Sequence, residues 1–177
     1  MPGAYHSKQN GVQGRQICSM TILPLKTRFK GPAPKPSDTS KPDIIDEALD
    51  YFKANVMFRN YEVKGGADRV LLYLTLYIHQ AITHLAGKNR GAAEKELYQL
   101  AIANFSIPGD GQFPLGGFVT NPANRNEADQ VRQWFLQMRQ ETNHRLIARV
   151  YARDDAKPSK WWMCFTKRKF LNMSLGA

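Results

Sequence analysis

The sequence predicts a mainly α-helical, single-domain protein in which one central apolar helix is enclosed by the others. Apolar residues recur at helical spacing from Asp43 onward, and the run from Val70 to Ile78 is apolar on every side of a helix. No stretch alternates apolar and polar residues over a useful strand length. At 177 residues one domain is expected. It comprises an extended N-terminal arm (1–42), a helical core (43–155) and a basic aromatic C-terminal segment (156–177).

The first predicted helix runs from about residue 43 to residue 58. Asp43 follows Pro42 and suits the N-cap, and the acids Asp46 and Glu47 suit the positive first turn. Apolar residues at helical spacing form its buried stripe: Ile44, Ile45, Ala48, Leu49, Phe52 and Val56.

The second predicted helix contains the central apolar run. Gly65 and Gly66 break the chain, after which Asp68 can cap a helix that lasts to about Leu85. A buried parallel strand is the competing interpretation, because short apolar runs are ambiguous by periodicity alone. The amphipathic continuation over 80–85, which has no turn signal, favours the helix.

Two further helices are predicted on either side of a long loop. Residues 92–103 are rich in strong helix formers. Residues 105–123 hold many glycines and prolines together with apolar residues, which predicts a long irregular loop that is either functional or packed by its own side chains. Asn126, with Asp129 three residues later, predicts the start of a fourth helix that ends near Tyr151.

The excess positive charge lies at the two ends of the chain. The formal net charge of +10 divides into +6 for residues 1–42, −1 for 43–155 and +5 for 156–177. The prolines of Gly31–Pro36 predict an extended strap. Apolar residues in the same arm predict that it is docked rather than solvated: Met20, Ile22, Leu23, Leu25 and Phe29.

The sequence contains no convincing catalytic or metal-binding motif. His79 and His84 are five residues apart and lie on different helix faces, so they do not form a zinc pair. The glycine-rich stretch Pro108–Gly117 lacks the spacing of phosphate-binding loops. Cys18 and Cys164 belong to no CxxC pair, which favours a reducing, intracellular setting. We therefore expect neither an enzyme nor a cofactor.

No membrane span and no signal peptide are predicted. The N-terminal residues 1–19 lack an apolar core, and Val70–Ile78 is about half of the ~20 residues that a span requires. The acids of the first helix are better explained as compensation of its dipole than as an acid–base pair.

The strongest binding signal is the aromatic and basic segment near the C-terminus. Trp161 and Trp162 precede the triple base Lys167, Arg168 and Lys169, which is typical of a surface that docks on an acidic partner. Alternatively, one tryptophan closes the core, since successive side chains point in different directions. A second alternative is a nucleic-acid-binding module, whose aromatic rings, including Phe165, stack on bases. Membrane-surface binding is weaker because no amphipathic basic helix accompanies the segment.

The sequence closely resembles the family of the 21-kDa subunit of the actin-related protein 2/3 complex (p21-Arc). The matching segments follow the family's order over nearly the whole chain, and the most specific is Lys157–Trp162 (Lys-Pro-Ser-Lys-Trp-Trp). The remaining matches are 20–34, 46–56, 60–62, 67–69, 104–109, 139–142 and 164–165. Departures are confined to the first sixteen residues and to Gly87–Ala93.

The resemblance implies a non-catalytic, mostly helical subunit that docks on the actin-like subunit 3 of a seven-subunit complex. That complex binds the side of a mother actin filament and starts a daughter filament. ATP belongs to its actin-related subunits, so no cofactor, no nucleic acid and no membrane span is expected here. The implied location is the cytoplasm and cytoskeleton, in actin-rich cortical structures. Our own hypothesis for the contact residues is Arg28, Phe29, Lys30, Trp161, Trp162, Lys167, Arg168 and Lys169.

Overall fold

The computed structural model describes residues 3–176, and it is mainly helical, as predicted. Within that range the chain forms five α-helices, two very short strands and one 3₁₀ turn. They are β1 (Gln16–Ile17), β2 (Met20–Thr21), α1 (Ile44–Asn55), α2 (Gly66–Thr83), α3 (Arg90–Ile102), α4 (Arg125–Val150), α5 (Lys160–Met163) and the 3₁₀ turn Phe170–Asn172.

Helix α2 is the centre of the fold, and the strand alternative for residues 70–78 is wrong. Every residue from Gly66 to Ile82 except Arg69 is buried, because α1, α4, α5 and the β2 strand all contact this helix. The ring of Tyr73 stacks on that of Phe135 with centroids 3.9 Å apart. An all-round apolar helix is stable in water only inside such an enclosure.

The first helix begins as predicted. The Asp43 carboxylate accepts hydrogen bonds from the backbone N–H groups of Ile45 and Asp46, and the Asp46 side chain accepts one from the Asp43 N–H. This reciprocal capping box satisfies N–H groups that lack a partner inside the helix. The regular helix ends at Asn55, three residues earlier than expected.

Two predicted helix starts are wrong. Helix α2 begins at Gly66, and Asp68 lies inside its first turn, where its carboxylate binds other segments. Gly66 is required there because a Cβ atom would collide with the side chain of Thr21. Helix α4 is capped by Asn124, whose Oδ1 accepts from the Glu127 N–H at 2.9 Å, and not by Asn126.

The N-terminal arm contains a small hairpin that the sequence did not predict. Strands β1 and β2 pair antiparallel, with Ile17 opposite Met20. Cys18 and Ser19 form the turn with positive φ angles of 52° and 67°. Strands of two residues are too short to show alternation. The apolar residues of the arm lie in the chain's own core: Ile17, Met20, Ile22, Leu23 and Leu25.

The loop 105–123 forms no helix or strand and is packed by its own side chains, as predicted. Ile107, Phe113 and Leu115 are buried, and the Phe113 ring stacks on Tyr73 at 6.2 Å. Among residues 3–176, no helix is long and apolar enough to cross a membrane. The same range holds no cluster of three or more histidines, cysteines or acids that is arranged for a metal.

Candidate functional site

The N-terminal end of the chain is held by a buried carboxylate on α2. Asp68 accepts hydrogen bonds from the Ser7 N–H at 2.8 Å, from the Lys64 N–H at 3.0 Å and from the His6 ring at 2.7 Å. Burial alone would raise the pKa of the Asp68 carboxyl, but these donors outweigh it and hold its pKa below the usual value. The ionised carboxylate therefore fixes residues 6 and 7 on the helical body.

A second buried carboxylate, on α1, extends this clamp. Glu47 accepts from the Ser7 hydroxyl and from the Lys8 N–H, both at 2.8 Å. Asn55 exchanges two hydrogen bonds with the backbone of Tyr5. Residues 5–8 thus pack as part of the body.

The middle of the N-terminal arm is fixed by Arg145 on α4. Its guanidinium contacts Asp43 at 2.6 Å, Asp46 at 3.0 Å and Glu141 at 3.1 Å, and it also donates to the Lys26 carbonyl. Burial would lower the pKa of Arg145, but the bonds and charges of the three carboxylates outweigh it and raise the pKa. In this cluster, one arginine forms ion pairs with three acids of the helical body.

The predicted contact residues Arg28, Phe29 and Lys30 form an exposed loop tip. Buried Gln137 on α4 holds its two ends, because its Nε2 donates to the Phe29 carbonyl and its Oε1 accepts from the Ala33 N–H, both at 3.0 Å. The Phe29 side chain is 38% exposed. The tip is therefore anchored through its backbone while its side chains face solvent.

A groove beside this tip separates helices α3 and α4. It has a volume of about 210 Å³, and Phe29, Tyr98, His144 and Ile147 contribute to its walls. Tyr98 is 58% exposed. A wider concavity on the other side of Phe29 is lined by Arg28 and Lys35 among others. We call Arg28, Phe29, Lys30, Lys35 and Tyr98 the Phe29 surface.

The structure divides the tryptophan pair. Trp162 is 6% exposed, and its ring stacks on Phe52 with centroids 5.9 Å apart and with the Lys53 ammonium 4.7 Å from its centre. Trp161 is 61% exposed, with only the Lys160 ammonium over its ring. Trp162 therefore closes the core, and only Trp161 presents its ring to a partner.

Trp161 lies in a basic environment of its own. It lines a groove of about 400 Å³ together with Arg153, Lys157 and Lys160, near one acid, Asp154. We call Arg153, Lys157, Lys160 and Trp161 the Trp161 surface. An exposed ring beside several bases offers both contact area and attraction for an acidic surface.

The triple base follows the Trp161 surface in sequence and is solvent-exposed. Lys167, Arg168 and Lys169 all lie outside the core, and within residues 3–176 they form no ion pair. Buried His79 holds the preceding residue, since its Nε2 lies 2.9 Å from the Thr166 carbonyl. Burial lowers the pKa of His79, so the neutral ring donates this bond.

The charge at the chain ends is largely uncompensated. Of the lysines and arginines in 3–42 and 156–176, Lys26 is the only one in an ion pair, with Asp46 at 2.8 Å. Acids of the body are instead engaged by Arg145, Arg149 and Arg90. The predicted basic ends thus carry free positive charge on the surface.

The predicted residues do not form one site. In the part of the chain that the structure describes, no hydrogen bond or ion pair joins the Phe29 surface to the Trp161 surface, and none of the grooves described above is lined by both. The nucleic-acid alternative needs several exposed rings, yet Trp162 is buried and Phe165 packs edge-on against Phe52. Trp161 alone is left, which weakens that alternative.

Sequence reasoning missed the polar residues that position the N-terminal arm. Gln137, Glu141 and Arg145 are spaced four residues apart and therefore share one face of α4. A polar stripe of this kind beside the buried apolar residues of a long helix is the signal that could have revealed them. Asp68 carried no such signal because it resembled a helix cap.

The chain is similar to known proteins over nearly its whole length. The family model described as "P21-Arc: ARP2/3 complex ARPC3 (21 kDa) subunit" matches residues 1–175. The chain is 55% identical over 173 residues to actin-related protein 2/3 complex subunit 3 of Dictyostelium discoideum, covering 97% of this chain and 99% of the relative. The proteins of that name from Schizosaccharomyces pombe and Arabidopsis thaliana are 47% and 40% identical, covering 89% and 96% of this chain and 90% and 97% of the relatives.

Proposed function

Because the chain belongs to the family of the ARP2/3 complex ARPC3 (21 kDa) subunit, we propose that it acts without catalysis by docking on the actin-like subunit 3 of that complex. In this role it supports actin nucleation and the formation of branched filaments. Its other partners are the remaining subunits and the side of the mother filament. The corresponding location is the cytoplasm and its actin-rich cortical cytoskeleton.

One observation carries the proposal: the bases at the two ends are exposed and have almost no internal partners. A surface whose positive charge is not neutralised within its own chain attracts acidic surfaces and speeds encounter with them. Three acids of the body, Asp43, Asp46 and Glu141, are bound by Arg145, and of these only Asp46 also pairs with a base of the arm, Lys26.

The two exposed surfaces suit different contacts. The Phe29 surface combines two exposed rings, Phe29 and Tyr98, with a groove between helices, which favours a stable contact with another subunit. The Trp161 surface and the triple base 167–169 are more strongly basic, which favours an acidic surface such as that of an actin filament. We therefore propose the first for the actin-like subunit and the second for the filament.

The experiment isolates the chain with its partners from cell extract. A tagged copy should bring down the other six subunits in equal amounts, as judged by mass spectrometry, and the isolated assembly should sediment with actin filaments. The variant Phe29→Ala/Tyr98→Ala should recover less of the actin-like subunit, whereas a matched pair of exposed residues, Tyr5→Ala/Met57→Ala, should not. Recovery of the tagged chain alone would overturn the proposal, as would micromolar RNA binding without any of these subunits.

A further inference from the structure

Helix α4 carries an arginine that is buried without a carboxylate partner among residues 3–176. Arg139 is 2% exposed. Its Nη2 donates to the Leu100 carbonyl at 2.6 Å and its Nη1 contacts the Tyr73 hydroxyl at 3.4 Å, while its Nε has no partner. A guanidinium removed from water without a counter-ion is strongly unfavourable. Six residues further along α4, by contrast, Arg145 is surrounded by three carboxylates.

Aromatic rings compensate Arg139 only in part. The rings of Tyr77 and Phe105 lie 4.5 Å and 4.3 Å from the guanidinium carbon, and Leu100 lies near the negative C-terminal end of α3. These contacts explain how the charge is tolerated. Because these two rings lie against the guanidinium, its N–H edge is the direction left for an anion.

Arg139 lines a cavity that holds a second unpartnered polar group. The cavity has a volume of about 330 Å³, and Gln80 also lines it. Gln80 is 8% exposed, and its Oε1 accepts no hydrogen bond. The rim is formed by exposed polar residues, including Asn104, Gln112 and Ser174. The cavity thus pairs a positive donor with a neutral acceptor behind a polar rim.

We propose that this cavity receives an aspartate or glutamate side chain from another subunit of the assembly. The inference rests on the proposed function. A planar carboxylate matches the N–H edge of a guanidinium, and the backbone N–H of the same acidic residue suits the free Oε1 of Gln80. The volume lies at the small end for ligand sites, so it suits one side chain with its peptide unit. A polar rim around a buried anchor is the usual anatomy of a subunit interface.

The first test uses the isolated full chain and a small probe. N-acetyl-aspartate amide should shift the NMR signal of the Arg139 Nε–H in a saturable way, with affinity of about millimolar order for so small a ligand. N-acetyl-asparagine amide, which has the same shape without the charge, should leave the signal in place. Equal shifts with both probes, or a larger shift with inorganic phosphate, would overturn the assignment to a carboxylate.

Two matched variants place a negative charge inside and outside the cavity. Gln80→Glu adds a carboxylate to the cavity wall and should weaken probe binding by at least about tenfold through repulsion. Gln133→Glu makes the same change on the exposed face of α4 and should leave binding within about twofold. Equal effects of the two variants would overturn the inference. The Arg139→Lys variant keeps the charge but loses the planar fork, so it should bind the aspartate probe several-fold more weakly when binding is measured by calorimetry.

A shortened chain and an assembly assay separate the remaining explanations. Residues 174–176 line the cavity, so a chain ending at Met173 tests whether the cavity belongs to the chain's own end. Probe binding only after that truncation would overturn the proposal.

In the assembly assay, Gln80→Glu should lower recovery of one partner subunit. If it does not while the wild-type chain assembles, the inference fails and the proposed function stands. If the wild-type chain does not assemble at all, the proposed function fails, and the absence of a partner overturns the inference with it, whatever the probe shows.

Discussion

The two ends of the chain carry nearly equal positive charge but are attached to the body by different interactions, hydrogen bonds at one end and aromatic packing at the other. Buried carboxylates hold the N-terminal end: Asp68 and Glu47 bind residues 6–8 through short hydrogen bonds. Aromatic packing holds the C-terminal end, where Trp162 stacks on Phe52 and Phe170 meets Tyr61 edge-on at 6.1 Å.

This comparison shows that a terminal segment can carry a high net charge and still be firmly attached to the body. Each end buries the residues that attach it and leaves its basic side chains exposed. The fold therefore holds the positive charge at defined places on the surface. The polar attachment depends on the ionisation of carboxylates, whereas the aromatic attachment depends on buried area. The two attachments should therefore break under different conditions.

The largest expected effect comes from removing the aromatic anchor. Trp162→Ala deletes a buried indole stacked on Phe52 and should lower the free energy of unfolding by about 3–5 kcal/mol. Trp161→Ala is the matched control and should change it by less than about 0.5 kcal/mol, because that ring is exposed. Urea unfolding measures both. Similar losses for the two variants would contradict the division of the pair.

Removing the polar anchor should cost somewhat less. Asp68→Ala leaves the N–H groups of Ser7 and Lys64 without their buried acceptor and should lower the free energy of unfolding by about 2–3 kcal/mol. Hydrogen exchange should quicken over residues 6–10 and stay unchanged around Trp162. Faster exchange at both ends would show that the two attachments are coupled.

A smaller effect is the pH dependence of the N-terminal attachment. The pKa of Asp68 is lower in the folded chain than in the unfolded chain. Its stabilisation is therefore complete above the unfolded value of about 3.9 and is lost as the pH falls through the folded value. The difference in unfolding free energy between wild type and Asp68→Asn should shrink as the pH is lowered from 6 through this range. A constant difference would mean that ionisation of Asp68 contributes nothing.

The smallest effect on stability should come from the exposed bases. Replacing Lys167, Arg168 and Lys169 by glutamate should change the free energy of unfolding by less than about 0.5 kcal/mol, because none of them has an internal partner. Filament binding by the assembly should weaken, and the loss should diminish as salt is raised.

A charge-matched control completes that measurement. Lys95→Glu, Arg125→Glu and Arg132→Glu make the same change in net charge on the outer faces of α3 and α4. Branching and co-sedimentation should respond much less to this control. Unchanged branching by the 167–169 variant across a salt series would contradict the proposed filament contact.

The fold was predictable where one local pattern had one physical outcome. An all-round apolar run must be enclosed, and α2 is the enclosed helix. Asp43 after a proline and before two acids had one role, and it caps α1. The start of α4 was mistaken because Asn124 and Asn126 are both good caps two residues apart, and local sequence does not choose between them.

The candidate surfaces were predictable in composition but not in arrangement. The sequence placed exposed charge at Arg28, Lys30 and residues 167–169, and the structure leaves these side chains in solvent. It did not reveal which member of the tryptophan pair is buried, because that depends on the position of Phe52 more than a hundred residues earlier. It also did not identify Asp68 as a clamp, because its partner Ser7 lies 61 residues away.

The clamp between Ser7 and Asp68 also constrains the order of events during synthesis. Chains emerge from the ribosome N-terminus first. Residues 6–8 therefore emerge long before the carboxylate on α2 that binds them, and they wait without a partner until that helix has formed. Trp162, which covers Phe52, emerges more than a hundred residues after the ring that it covers. Closure by Trp162 thus follows the synthesis of α1 to α4, and a ribosome stalled before residue 162 would present uncovered apolar surface to chaperones.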